Sequence, residues 1–391
     1  MKSHKILSIG DLCTGCFACQ NACPKNAISL PENGEGFYEP VIDEKLCIDC
    51  GLCDKTCPRV IVPTRFKAQK AYYGWINDDD IRKRSSSGGL FSAIANYVIA
   101  NGGIVYGASF NYSGDIRLEC HSNVEVGIEA LRKSKYVQCH IGNTFRDIKT
   151  NLESGRQVMY CGTPCEVDGL KSFLRKDYEN LITIDFICHG VPSMSLLRTH
   201  LEYIGLSGAT EIDFRPKRES WVDFFEIRKK NRLRRIRWSF DEYFDTFERY
   251  RSIRRSCMDC QHCNGSRAAD ITIADFWGVY KFNPAMFDKR GISLVLVNND
   301  NGVHVLNSLQ DNVNCTINEL EMKYASYVYE RDRRAPDSHY NRKLRDAYIK
   351  DVYTKGYVEA NKIHGFYKSP TMLLRYHIKE ALRTIKHKII G

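Results

Sequence analysis

The chain of 391 residues has no apolar run long enough to cross a bilayer. The longest contender, residues 90–110, is broken by Asn96, Asn101, Gly102 and Gly103, whereas a spanning helix needs about 20 consecutive apolar residues. No export signal is expected either. Between Lys5 and Asp11 only residues 6–10 could form its apolar core, which is too short. A reducing, cytoplasmic setting is therefore expected, without a disulfide framework of the secreted kind. The composition also lacks the marks of disorder, with 43% hydrophobic and 27% charged residues. Those proportions fit a soluble chain of two or three domains, each with its own core.

Against that plain background, 17 cysteines stand out. In a reducing compartment, clustered thiols bind metal more often than they pair. CTGCFACQNACP (Cys13 to Pro24) and CIDCGLCDKTCP (Cys47 to Pro58) both read C-x2-C-x2-C-x3-C-P, the bacterial spacing for two 4Fe-4S clusters. In that pattern three cysteines of a tight loop wrap one cube, and loop amides point at its sulfides. The fourth cysteine, before proline, turns toward the other cube. The expected ligand sets are Cys13, Cys16, Cys19 and Cys57 for one cluster, and Cys47, Cys50, Cys53 and Cys23 for the other. AISL and YEPVID flank PENGEG and read as the small hairpin between the halves. A pair of zinc sites would need four ligands each, but no second run in the same register. Residues 1–62 are thus expected to form an α+β ferredoxin-like electron-transfer module.

Net charge must be read with clusters in place. The formal value is +10, but each cube on four thiolates adds about −2, so three would leave roughly +4. A mildly basic protein suits an acidic redox protein such as ferredoxin, a partner redox subunit or an anionic coenzyme as well as it suits DNA.

Residues 63–70 have the proline and charge of a linker. Beyond them, strands (AYYGWIN, IVYGASF, QVMYCG, LITIDFICHG) alternate with helices (SSSGGLFSAIANYVIANGG, TPCEVDGLKSFL). This alternation predicts an α/β domain with a largely parallel sheet over residues 71–345. Residues 346–391 form a tail ending in a basic amphipathic helix. Ser85, Ser86, Ser87, Gly88 and Gly89 sit where the chain enters a helix. They make either a simple cap or, through free amides, a phosphate site.

SCMDCQHC places Cys257, Cys260 and Cys263 within one loop, and such a loop takes its fourth ligand from elsewhere. Cys161 and Cys165 lie at a strand end and helix start, and Cys188 at the end of the next strand. The carboxyl ends of neighbouring parallel strands share one edge, so these thiols can converge there on a third cluster. A zinc knuckle made by residues 257–263 alone is the competing reading.

SSSGGLFSAIANYV, GGIVYGASF, SKYVQ, GTPCEVDGLKSFL, CHGVPS, SCMDC and ADITIADFWG together resemble the beta subunit of coenzyme F-420-reducing hydrogenases and dehydrogenases. The resemblance runs from about residue 71 to 280, over half the chain. It implies FAD and a 4Fe-4S cluster on four cysteines, which fall on Cys165, Cys188, Cys257 and Cys260. Cys161 and Cys263 are then extra; either could replace one of the four, and His262 lies close. It also implies an FAD pyrophosphate site at Ser85, Ser86, Ser87, Gly88 and Gly89. Lys135 and Tyr136 would then belong to the flavin site, with Lys135 supplying positive charge. Glu166 stands where glutamine is common and Ala274 where glycine is common, so the substrates of relatives do not transfer. A carboxylate beside a cluster or flavin would lower its potential.

The implied protein is an iron–sulfur flavoprotein oxidoreductase with three 4Fe-4S clusters and FAD. Single-electron carriers stand on one side and a two-electron carrier on the other. Its substrate would be a small molecule or coenzyme F-420 itself, with Glu166, His189 and Asp185 as candidate proton donors. The alternative is an electron-transfer subunit of a larger redox complex, without its own substrate.

The arginine-rich segment 215–238 could bind nucleic acid, but its alternating apolar residues suit a hairpin with one buried face. In the tail, Leu374, Ile378, Leu382, Ile385 and Ile389 share a helical side, with Arg375, Lys379, Arg383, Lys386 and Lys388 elsewhere. That stripe fits peripheral membrane contact, a partner, or packing onto the main domain. Cys120, Cys139 and Cys315 stand alone and read as buried small apolar residues.

Overall fold

A computed structural model describes residues 4–217, 224–310, 314–325 and 339–390. Its centre is a sheet of eight strands. In chain order these are β1 (Lys70–Ile76), β2 (Ile104–Asn111), β3 (Arg117–Ser122), β4 (Val158–Cys161), β5 (Leu181–Phe186), β6 (Ile271–Asp275), β7 (Ser293–Val297) and β8 (Cys315–Leu320). Their spatial order is β8-β1-β7-β6-β5-β4-β2-β3. The middle strands β2, β4, β5 and β6 run parallel. Antiparallel partners flank them, with β3 on one side and β7, β1 and β8 on the other.

The sheet is therefore mixed, with the expected parallel arrangement confined to its centre. Connection length explains the difference. Parallel neighbours need a crossover, supplied between β4 and β5 by the helix Pro164–Leu174. β3 follows β2 after residues 112–116 alone, enough for a hairpin and too little for a crossover. Val158, Met159 and Tyr160 of β4 are fully buried, as a strand covered on both faces requires.

The amino-terminal module has helices Lys5–Ser8, Ala18–Ala22 and Leu52–Thr56, and Ile28–Ser29 pairs antiparallel with Val41–Ile42. It packs against the large domain. Phe17 lies edge-on to His140 at 4.7 Å and to Tyr38 at 5.4 Å. Arg146 donates to the carbonyls of Asn21 at 2.8 Å and Cys23 at 2.7 Å. The segment expected to link the two is itself anchored, since Phe66–Lys67 pairs with Ser266–Arg267. Residue 346, the expected start of the tail, falls inside the helix His339–Lys355.

Within 215–238, residues 218–223 lie outside the described residues. The remainder forms the expected hairpin, Phe224–Lys229 against Arg232–Arg237. Phe225, Ile227 and Ile236 are buried on one face, but Phe224 and Glu226 are buried on the other, so the expectation of a single buried face does not hold along the first strand. The last helix, Pro370–Ile390, is fixed to this hairpin. The Tyr376 ring stacks on Phe240 at 4.5 Å, its hydroxyl accepts from the Arg237 amide at 3.0 Å, and Arg237 pairs with Glu380 at 3.1 Å. Leu374, Ile378 and Leu382 point away from the body, 61%, 51% and 61% exposed. The side chains of Ile385 and Ile389 lie outside the described part. The described members of the stripe are thus not what packs onto the domain; Tyr376 and Glu380 do that. Among the described residues no helix is long and apolar enough to cross a membrane.

Candidate functional site

Both cysteine runs of the amino-terminal module fold through the same turn. Gly15 and Asp49, at equivalent places, have φ of 65° and 51°, and Phe17 and Gly51 have 63° and 68°. Left-handed residues alternating along a loop turn its amides inward toward an anion. One hollow is bordered by Cys13, Cys16, Cys19 and Cys57, and a second by Cys23, Cys47, Cys50 and Cys53. The structure therefore brings each expected set of four around its own space. Burial, and then neighbouring thiols such as Cys57, push Cys16 up, as expected of sulfurs gathered for a cation. Sequence reasoning missed His4, whose Nε2 lies 3.4 Å from Cys47 Sγ and 3.1 Å from Asp49.

The third set assembles at one edge of the sheet. Thr163 and Glu166 form a capping box that starts the helix Pro164–Leu174, which places Cys165 in its first turn. Cys188 follows β5, and Cys257 lies within the turn Arg255–Asp259, just before Cys260. Burial raises the Cys188 thiol, followed by Cys257, Cys165 and Cys260. All four candidates thus share one neighbourhood. The amides of Gly190 and His262 donate to Cys188 Sγ and Cys260 Sγ, each at 3.4 Å, the kind of bond that orients and tunes a metal-bound sulfur. Cys263 shares a hydrogen bond with Cys260 and remains adjacent to the set. Cys161 belongs elsewhere; after burial, its neighbours are Asp185, Glu166 and Lys135. The His262 ring turns to Asp168 at 3.3 Å.

Beside this set lies a cavity of about 490 Å³, whose wall includes Cys188. Ser85, Ser86 and Ser87 border it where the helix Leu90–Ala100 begins. None of them caps that helix. Ser85 Oγ bonds Ile81 O and Ser92, Ser86 Oγ accepts from the Ser134 amide, and Ser87 Oγ donates to Ile292 O. The first turn starts at Gly89 without a side-chain acceptor, which leaves its amides for an anion. A Cβ at Gly88 would stand 2.3 Å from Gly74 O, so glycine is required there. Lys217, another residue missed in the sequence, ties the turn down by donating to Arg82 O, Arg290 O and Ser87 O.

Lys135 is on the wall, donating to Arg132 O at 2.5 Å, and burial pushes its ammonium down to about 7. The Tyr136 hydroxyl accepts from Arg215 at 3.2 Å. Arg215 itself pairs with Asp275 and lies near the rings of Trp238 and Trp277. Glu166 borders the cavity, but one of its oxygens accepts from the Thr163 amide at 2.7 Å; burial pushes its carboxyl up to about 7. His189 also borders it, stacked on Tyr250 at 4.0 Å. Asp185 is absent from the wall. It is held behind it by Thr272 at 2.5 Å and Arg267 at 3.4 Å, with burial raising it to about 7. Cys120 and Cys139 are buried as expected, yet they line this cavity rather than a closed core. The hydroxyl of Tyr160, also on the wall and fully buried, has no hydrogen-bond partner among the described residues. A buried orphan of this kind suits a cavity shaped for a polar ligand.

The family model for the carboxyl-terminal part of the coenzyme F420 hydrogenase/dehydrogenase beta subunit matches residues 155–323, and a 4Fe-4S dicluster domain matches residues 12–61. An F(420)H(2) dehydrogenase subunit of Methanosarcina mazei is 22% identical over 185 residues, 44% of this chain and 52% of the relative. The chain thus spans about half the length of that relative. Ferredoxin-2 of Chlorobaculum tepidum is 43% identical over 56 residues, 13% of this chain and 82% of the relative. Among solved structures, one chain of the F420-reducing NiFe hydrogenase complex from Methanosarcina barkeri is similar with a TM-score of 0.47 and 13% identity, covering 69% of this chain and 90% of that one.

Proposed function

Because the chain belongs to the family of coenzyme F-420 hydrogenase/dehydrogenase beta subunits and carries a 4Fe-4S dicluster domain, we propose that it is an FAD-dependent iron–sulfur oxidoreductase. The observation that carries this reading is a shared wall. Cys188 belongs both to the third thiol set and to the lining of the 490 Å³ cavity, so a cluster there and a flavin in the cavity would be neighbours. FAD, when bound, supplies the exchange between single electrons and a two-electron transfer.

The residues around the cavity fit that cofactor. Free amides at the start of Leu90–Ala100 would hold its pyrophosphate, with Ser86 and Ser87 shaping the turn. Lys135 would place a cation beside the anionic cofactor. Glu166 and His189 border the cavity and are among the groups able to hold a proton near substrate; Asp185 lies behind the wall and would act only through its neighbours. The substrate would be a small molecule or coenzyme F-420.

A second reading, an electron-transfer subunit without its own substrate, draws on the outer cysteine run. There Cys50 is exposed near Leu46 and Ile48, 50% and 57% exposed, a surface suited to a ferredoxin or partner redox subunit. Anaerobic purification with iron and flavin quantified together tests the proposal. About 12 iron and one FAD per chain are expected, and about eight iron without flavin would overturn it. A stoichiometric partner and no turnover by the isolated chain would select the second reading.

A further inference from the structure

The two cysteine loops of the amino-terminal module are alike in sequence but not in surroundings. We propose that the loop of Cys13, Cys16 and Cys19 is the inner member of a linear series, standing between the outer loop of Cys47, Cys50 and Cys53 and the set at Cys165, Cys188, Cys257 and Cys260, and that Gly169 and Arg254 are the positioning residues that fix the inner gap. The inference rests on the three-cluster reading above and adds their order.

Gly169 carries the first part of the argument. It lies inside the helix Pro164–Leu174, where glycine costs about 1 kcal/mol relative to alanine. A Cβ there would stand 2.9 Å from Cys16 Cβ and 3.0 Å from Cys16 Sγ. Glycine thus lets the Cys16 sulfur rest directly on the helix. Cys165 precedes Gly169 by four residues, so both lie on one helical face, a single turn apart. The inner loop consequently touches the helix on the face that bears a ligand of the third set.

Arg254 makes a second connection. Its buried side chain donates from Nε to Cys13 O at 2.7 Å. Its own carbonyl accepts from the Cys257 amide at 3.0 Å, and its amide donates to Val191 O at 2.8 Å. One residue therefore binds the inner loop, the turn of Cys257 and the strand exit that follows Cys188. Gly15 makes room for it, because a Cβ there would stand 3.2 Å from Arg254 Nη1 and 2.4 Å from Gln138 Nε2.

The outer loop buries Cys53 but is open at its middle. Cys50, which corresponds to the buried Cys16, is exposed. Among the described residues, nothing lies within 4 Å of a Cβ placed on Gly51.

The test is electron paramagnetic resonance on the full chain, purified without oxygen and reduced with dithionite, with iron counted in each sample. Spin coupling is expected between the third cluster and the inner one. It should survive Cys50→Ala, which removes an outer ligand, and be lost in Cys16→Ala. Gly169→Val should weaken the coupling with iron retained. Arg254→Met, a milder change in case Gly169→Val fails to assemble, should shift the inner and third signals but not the outer one. Coupling that survives Cys16→Ala and disappears in Cys50→Ala would overturn the order. Fewer than about 12 iron in the unaltered chain would instead sink the three-cluster reading itself.

Discussion

Eight thiols of the amino-terminal module come from two short runs, each setting three cysteines of a single loop around one hollow and its fourth cysteine at the other. The four at the sheet edge come from a helix start, a strand exit and a separate turn, spread from Cys165 to Cys260. The first construction needs only a local backbone shape, repeated left-handed residues included. The second exists only once β4, β5 and the turn at Arg255–Asp259 are packed together. Local sites should therefore tolerate damage to the large domain, and the assembled site should not.

The largest expected effect separates the two. Cys188→Ala should lower iron from about 12 to about eight per chain and leave both ferredoxin-type clusters in place, the inner one without its coupling to the third. Loss of all iron would show instead that the module depends on the large domain to form its clusters. Arg215→Leu comes next. It leaves Asp275, 12% exposed, without its cation, and breaking a buried pair in this way costs roughly 3–5 kcal/mol. Thermal unfolding should shift down and FAD should be lost, with the iron of the module retained.

A smaller effect concerns Lys135. Burial lowers its pKa from the usual 10.5 to about 7. Between those values the unfolded chain holds a proton that the folded chain has released, so stability from this group rises with pH. It is fully present above the unfolded value and is lost as pH falls through about 7. Unfolding midpoints of the FAD-free protein, measured between those limits, should rise more steeply with pH than those of Lys135→Met. Parallel slopes would mean that Lys135 keeps its proton throughout.

The same division explains what could be read from residues alone. The paired C-x2-C-x2-C-x3-C-P runs announce which four cysteines gather at each hollow, because the loop itself performs the folding. The third set was reached through resemblance, since spacing in the sequence leaves Cys161, Cys165 and Cys263 equally eligible. Only the packed fold turns Cys161 toward Lys135 and Cys165 toward Cys257. Arg215 and Asp275 lie 60 residues apart, and no local pattern announces that they meet. Cys120 and Cys139 show the same limit, because burial is legible in an isolated thiol but a cavity wall is not. The mixed sheet followed from loop lengths that the strand–helix alternation had masked.

The carboxyl-terminal helix lies between these cases: its pattern is local, but which side faces out is decided by packing. Tyr376 and Glu380 hold one face to the hairpin, which turns Leu374, Ile378 and Leu382 outward on the opposite face. Arg375 and Lys379, each one residue beyond the first two, are exposed at the edge of the stripe. An apolar stripe edged by cations suits the surface of an anionic bilayer, with its apolar side chains in the headgroup region. Vesicles containing phosphatidylglycerol should therefore bind the full chain, and vesicles of phosphatidylcholine alone should not. Changing Leu374, Ile378 and Leu382 together to serine should abolish binding while moving stability by no more than about 0.5 kcal/mol, as for other exposed sites. A loss of several kcal/mol would mean that the stripe is packed in solution. Conversion of a dimer to a monomer would assign the stripe to a second copy of the chain and remove the membrane from the account.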